Sequence, residues 1–299
     1  MILLAGGTGT LGRRVVPLLV ARGLDVRILA RHAGAATPID DGKVQMVAAD
    51  IRDRPAVDAA MTGVDTVVSM IQGVGGASAL GPQVVDRDGN LTLIQAAVAN
   101  GVSHFVLVSV IQASPDHPIE LFRMKFIAES ALRASGLSWT ILRPTASMET
   151  WLGVVGRPLV EGGRTRIFGR GQNPINFVAA DDVARFVEMA VTDPAVRMSV
   201  IDVAGPANLT FDQFVAVVGE VTGRAGRIDH VPLAVLRIMA TVLGPVRSVM
   251  AGQIRTALVM DDQDMRADAE SRQRLAPSIP ATPLAEVVRR TFPPESTSA

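Results

Sequence analysis

The residues best suited to chemistry stand at the start of the chain. Gly6-Gly7-Thr8-Gly9-Thr10-Leu11-Gly12 fits G-x-x-G-x-x-G, directly after the apolar run 1–5 and directly before a helical pattern. Gly6 permits a tight turn off a strand, Gly9 lets backbone approach a pyrophosphate, and Gly12 lets the next helix pack closely on a sheet. The unsatisfied amides of the helix N-terminus, around Thr8, Thr10 and Leu11, then face the phosphates. The same residues also fit a Gly-rich turn without a ligand. No Gly-Lys-Ser/Thr follows, so the loop is not a P-loop. About 20 residues past such a loop, NAD-selective folds place an acid on the ribose hydroxyls; this chain has Arg31 there. A guanidinium suits a 2′-phosphate, and Arg13 stands where it could reach the same group, which favours NADP(H) with NAD(H) second. The alternative reading of both arginines is as solvated helix and loop charges. Asp50, with Ile51 behind it, is placed to meet the adenine edge and face, or else to cap a turn.

The elements that must position this loop follow from periodicity. Residues 1–5, 25–30, 44–48, 65–70, 104–109 and 138–142 read as strands, and 10–22, 54–61, 90–100 and 121–135 as helices between them. Strand and helix in alternation predict an α/β fold, a doubly wound parallel sheet of the Rossmann kind. The expected division is a Rossmann NAD(P)-binding domain over 1–145, then a smaller, mainly helical substrate or cap region over 146–292 with strands returning to the sheet. A disordered tail over 293–299 completes it. Residues 153–171, rich in Gly, Arg and Pro, read as irregular structure near a substrate mouth. Further on, 176–179, 199–203 and 228–231 read as strands, Asp181 and Asp182 open a helix, and Thr210 with Gln213 forms a capping box. The stretch 233–260 reads as helical and broken at Gly244-Pro245. Arg237, Arg247 and Arg255 interrupt it too often for a membrane span.

Composition narrows the chemistry further. The 299 residues carry 29 basic and 29 acidic side chains, which argues against electrostatic capture of nucleic acid. There is no cysteine, excluding thiol nucleophiles, disulfides and thiolate-bound metals, and no tyrosine, excluding any mechanism that needs one. Redox work therefore requires an external cofactor. His32, His104 and His230 lack ligand spacing, so no metal site is expected. No G-x-S-x-G elbow is present. Neither a charged n-region nor an apolar h-region of secretory length opens the chain, so a cytoplasmic protein is expected. The oligomeric state is left open.

Taken together, the glycine loop, Arg31, Asp50-Ile51, Val106-Leu107-Val108-Ser109, the run from Phe122 through Lys125 and Glu129 to Gly136, and Trp139-Thr140-Ile141-Leu142-Arg143-Pro144 carry a family resemblance. With Phe177-Val178-Ala179-Ala180-Asp181-Asp182-Val183-Ala184 added, the chain resembles the atypical short-chain dehydrogenases/reductases, specifically the NmrA-like NAD(P)-binding group. The resemblance implies that Ser109 and Lys125 match two catalytic roles of the wider superfamily, and that Lys125 holds the nicotinamide ribose. Pro144 then belongs to the cofactor site. Where the superfamily's tyrosine would stand, four residues before Lys125, this chain has Leu121. Leucine cannot protonate an alkoxide. His117, on the preceding loop, offers a proton donor near neutral pH, or is an ion-paired turn residue.

Two functions remain. One is an NAD(P)H-dependent oxidoreductase whose acceptor, small, apolar and quinone-like, needs no strong acid, because hydride addition gives a stabilised oxyanion that water can protonate. Its pocket would include Met148, Trp151 and Phe168. The other is a non-catalytic NADP(H)-sensing regulator or assembly factor of NmrA type, acting through a protein partner. Leu121 favours the second, while Ser109 and Lys125 suit both.

Overall fold

The computed structural model describes residues 1–31, 42–73, 80–224, 226–243 and 248–293. His32, Gly244-Pro245, Arg247 and the tail beyond Pro293 lie outside the described residues.

The first half alternates as β1 (Ile2–Ala5), α1 (Gly12–Ala21), β2 (Val26–Ala30), β3 (Val44–Ala48), α2 (Arg54–Ala60), β4 (Thr66–Ser69), α3 (Asn90–Ala99), β5 (His104–Val108), α4 (Glu120–Ala134) and β6 (Ser138–Pro144). The chain continues as β7 (Ala146–Ser147), α5 (Met148–Trp151), α6 (Arg157–Gly162), β8 (Arg164–Phe168), β9 (Ile175–Val178), α7 (Ala180–Thr192), β10 (Ser199–Val203), β11 (Asn208–Leu209), α8 (Phe211–Thr222) and β12 (Arg227–Val231). Helices α9 (Leu233–Leu243), α10 (Ser248–Asp262), α11 (Ala269–Leu275) and α12 (Leu284–Thr291) close it.

Two compact units result. The first comprises Met1–Pro144 and Val183–Val203, the second Thr145–Asp182 and Ala204–Ala299. The first unit is built on a seven-stranded sheet in the order β10-β6-β5-β4-β1-β2-β3, every pair parallel. This is the doubly wound Rossmann arrangement, and its order reverses between β1 and β4. Strands β1 and β5 are buried along their whole length, which is why β1, and β5 after His104, read as unbroken apolar runs rather than alternating ones. Local signals set the helix starts. Asp53 accepts the Ala56 amide ahead of Pro55 to open α2, and Thr210 with Gln213 forms a complete capping box on α8.

The second unit has its own core of Leu152, Ile175, Phe177, Phe214, Val218 and Val288 among others. It pairs β11-β9-β7 and β12-β8 in two small sheets beside its helices. The stretch expected to be irregular, 153–171, is mostly regular. A π-helical turn at Leu152–Gly156 leads into α6 and β8. In β8, buried Thr165 and Ile167 alternate with exposed Arg164, Arg166 and Phe168, a period of two that the arginines disguise as a polar loop.

Candidate dinucleotide site

The glycine loop lies where the strand order reverses. Gly6 adopts φ +90°, and a Cβ there would stand 2.9 Å from the Met70 carbonyl oxygen just beyond β4. At Gly12 a Cβ would come within 2.4 Å of the Gly6 and Gly7 carbonyl oxygens and of Gly7 Cα. Gly12 therefore lets α1 close onto the loop's own backbone, a tighter fit than the helix-to-sheet packing expected of it. The Gly9 amide turns inward to the Gly6 carbonyl at 3.1 Å, and the Arg13 amide bonds the Gly9 carbonyl at 3.0 Å. Between them lie the amides of Thr10 and Leu11 at the start of α1, where helix geometry provides no partner. Two arginines fasten the carbonyls on the other side: Arg13 Nε donates to Thr8 O at 3.0 Å and Arg14 Nη1 to Thr10 O at 2.7 Å. A loop pressed to backbone contact at its glycines, with carbonyls tied back and amides left over, fits a pyrophosphate.

At the ends of β2 and β3, Arg31 is exposed while Asp50 is engaged. The Asp50 carboxylate accepts the Arg52 amide at 2.9 Å, Arg52 Nε at 3.0 Å and Arg52 Nη2 at 2.7 Å. These bonds, with smaller help from the charge of Arg31, lower its pKa to about 2. Asp50 thus makes the turn that was its alternative reading, and Arg52, which sequence reasoning passed over, joins Arg31 at this edge. Ile51 leans inward, since a Cβ on Gly89 would strike its Cδ1 at 2.4 Å.

On α4, Lys125 is buried, and three oxygens surround its ammonium: Ile71 O at 2.8 Å, Val108 O at 3.0 Å and Asp86 Oδ1 at 3.1 Å. Asp86 sits in a π-helical turn, Gln83–Gly89, and also accepts the Gly73 amide at 2.8 Å. Burial raises its pKa, opposed by Lys125. Ser109, after β5, donates to Glu129 Oε1 at 2.6 Å. Glu129 is fully buried and also accepts Arg143 Nε at 2.9 Å and Nη2 at 2.6 Å. Asp86 and the Glu129–Arg143 pair are site neighbours that sequence reasoning missed. Glu129 and Arg143 stand in the motifs that carry the family resemblance, but nothing in the sequence pairs them, and Asp86 has no local signal beside Arg87 and Asp88. Pro144 ends β6 with its carbonyl bonded to the Ile111 amide at 3.0 Å.

Leu121 is half-buried, one turn ahead of Lys125. His117 is buried and stacks on Phe122 with centroids 4.1 Å apart. Its Nδ1 accepts the Ile119 amide at 3.1 Å, which puts the neutral ring's proton on Nε2. Burial lowers its pKa, so the ring is an electrically neutral donor near pH 7 rather than an imidazolium.

In the second unit, Trp151 and Phe168 border a small apolar cavity of about 30 Å³, while Met148 is buried in the core. Asp182 shows what the second aspartate of the second-half motif does. It is buried, accepts the Thr282 amide at 2.9 Å and hydroxyl at 2.6 Å, and meets Arg272 at 3.1 Å. Among the described residues no cluster of metal-ligating side chains is found, and no helix is long and apolar enough to cross a membrane.

The chain is similar to several known proteins. It is 30% identical over 249 residues to the NAD(P)H azoreductase of Xenophilus azovorans, covering 83% of both chains. It is 28% identical to the photosystem II assembly factor Ycf39 of a Synechocystis strain, over 80% of this chain and 72% of that one. Its fold superposes on an NADPH-dependent quinone oxidoreductase of Escherichia coli, solved with NADPH, with a TM-score of 0.79. That match has 22% identity and covers 98% of this chain and 100% of that one. The model of the NAD(P)H-binding family matches residues 6–194, from the first glycine of the loop to the end of α7 and just beyond. The protein belongs to this NAD(P)H-binding Rossmann family.

Proposed function

We propose that the protein is an NAD(P)H-dependent oxidoreductase, preferring NADP(H), that reduces a small conjugated acceptor such as a quinone or an azo compound. The observation that carries the reading is the closed glycine loop at the crossover of the sheet, in a chain whose α4 bears Leu121 where a proton-donating tyrosine would stand. The nicotinamide supplies a hydride when bound. A quinone spreads the resulting negative charge over an aromatic ring, so its oxyanion is a weaker base than an alkoxide and takes its proton from water. Similarity to an NAD(P)H azoreductase supports a conjugated acceptor.

In this reading the Thr10 and Leu11 amides bind the pyrophosphate, with Gly6, Gly9 and Gly12 allowing the approach and Thr8 shaping the turn. Arg31 takes the 2′-phosphate, and Arg13 braces the loop beside it. Asp50 and Ile51 border the adenine, and Pro144 borders the nicotinamide end. Ser109 and Lys125 act by position: Lys125 ties the ends of β4 and β5 to Asp86, and Ser109 ties β5 to Glu129. The same proposal places the protein in the cytoplasm, where reduced nicotinamide dinucleotides are regenerated.

A second reading, a non-catalytic NADP(H)-binding protein that acts through a protein partner, is favoured by the enclosed ammonium of Lys125 and by the assembly-factor relative. Anaerobic fluorescence titration with NADPH and NADH, followed by a panel of quinones and azo dyes in the same cuvette, separates the two. Tight binding with rapid oxidation by an acceptor is the expected result. Tight binding with no turnover across the panel would replace the enzyme reading by the partner-dependent one.

A further inference from the structure

We infer that Arg52 is a specificity-determining residue: with Arg31 it forms a two-guanidinium clamp for the 2′-phosphate of NADP(H), and Asp50 holds it in place. The inference rests on the reading of the glycine loop as an NADP(H) site and deepens it.

The placement follows from strand register. Strands β2 and β3 run parallel with Ala30 opposite Ala48, and the Ala49 amide bonds the Ala30 carbonyl at 3.0 Å. Arg31 and the turn that begins at Asp50 therefore leave adjacent strands at the same edge of the sheet. On the far side of β2 lies β1, in register Ala5 to Leu29, and β1 runs directly into the glycine loop. A dinucleotide whose pyrophosphate sits on that loop extends its adenosine toward the ends of β2 and β3.

The chemistry of the edge suits a doubly charged phosphate. Asp50 spends its carboxylate on the Arg52 amide and on two donors of the Arg52 guanidinium, Nε and Nη2. A guanidinium has five N–H donors, so this fork leaves Nη1 and one hydrogen of Nη2 directed outward. The Arg52 side chain is 54% exposed, so those donors reach a ligand without unpacking anything. With Asp50 neutralised by one arginine, the pair Arg31 and Arg52 still contributes a net positive charge, which a plain ribose hydroxyl would not use. The lowered pKa of Asp50, to which Arg31 contributes, agrees with the two arginines flanking one carboxylate.

The test compares binding of adenosine 2′,5′-bisphosphate and 5′-AMP, and of NADPH and NADH, by calorimetry. Wild type, Arg31→Ala, Arg52→Ala, Arg52→Lys and the double alanine variant are measured, with thermal melting as the fold control. Loss of one charge-assisted bond predicts that Arg52→Ala weakens the bisphosphate and NADPH about tenfold and leaves 5′-AMP and NADH within about twofold. Arg31→Ala should do the same, and the double variant should lose nearly the product of the two. Arg52→Lys should recover part of the loss, as a point charge without the fork. Raising ionic strength from about 0.05 to about 0.5 M should shrink the wild-type preference more than that of the double variant. Equal weakening of all four ligands in Arg52→Ala, or of none, overturns the clamp while leaving the cofactor site intact. Wild type that binds neither dinucleotide would remove the site reading and the clamp together.

Discussion

At Lys125 the cost of burying a charge is met by three oxygens within 3.1 Å, two of them carbonyls at the ends of adjacent strands. An ammonium held in this way organises the backbone where β4 and β5 end. Lys125→Met leaves Asp86 buried without its counter-ion, and removing one partner of such a pair costs about 3–5 kcal/mol. Chemical denaturation should show that loss, and the double variant Lys125→Met with Asp86→Leu should recover most of it. A single variant within about 1 kcal/mol of wild type would mean the pair is not structural. Lys125 and Ser109 stand out in the sequence through the family resemblance, but their pairing with Asp86 and Glu129 does not. Asp86 precedes Lys125 by 39 positions and Glu129 follows Ser109 by 20, and no local pattern links such residues.

The strand–loop–helix at the N-terminus is where local sequence and geometry agree most closely. Its glycines differ in purpose: Gly6 needs its positive φ, and Gly12 needs the absence of a side chain. Gly12→Ala places a methyl group 2.4 Å from three backbone atoms, so the loop must open. Titration should show dinucleotide affinity falling at least tenfold in that variant, while far-ultraviolet circular dichroism stays native. Unchanged affinity would show that the loop does not bind in its closed form. A second element, α8, tests capping: Thr210→Ala removes half of a reciprocal box and should cost about 1 kcal/mol in denaturant melts. Both elements were legible because turn glycines and caps act within a few residues. Strand β8 was not, because its arginines hid the alternation that the buried Thr165 and Ile167 reveal.

For the molecule as a whole, pH tests how buried polar groups are distributed. His104 is fully buried in β5, its Nε2 is 3.1 Å from the Thr140 hydroxyl, and burial lowers its pKa from 6.5 to about 4. Between these values the unfolded chain binds a proton that the native chain refuses. Stability is therefore complete above pH 6.5 and falls as pH drops toward 4. Thermal melts from pH 8 to pH 4 should show this decline, and His104→Gln should flatten it. An equal slope in the variant would assign the decline to other groups. The sequence alone determined the parallel sheet, the glycine loop, the arginine beyond β2 and the missing tyrosine, because periodicity, backbone freedom and side-chain identity are properties of neighbouring residues. Tertiary structure decided that Asp50 holds Arg52, that Asp86 and two carbonyls enclose Lys125, and that Glu129 takes the Ser109 hydroxyl. A buried charge accepts whichever partners the fold brings within about 3 Å, and those partners come from segments far apart in the chain.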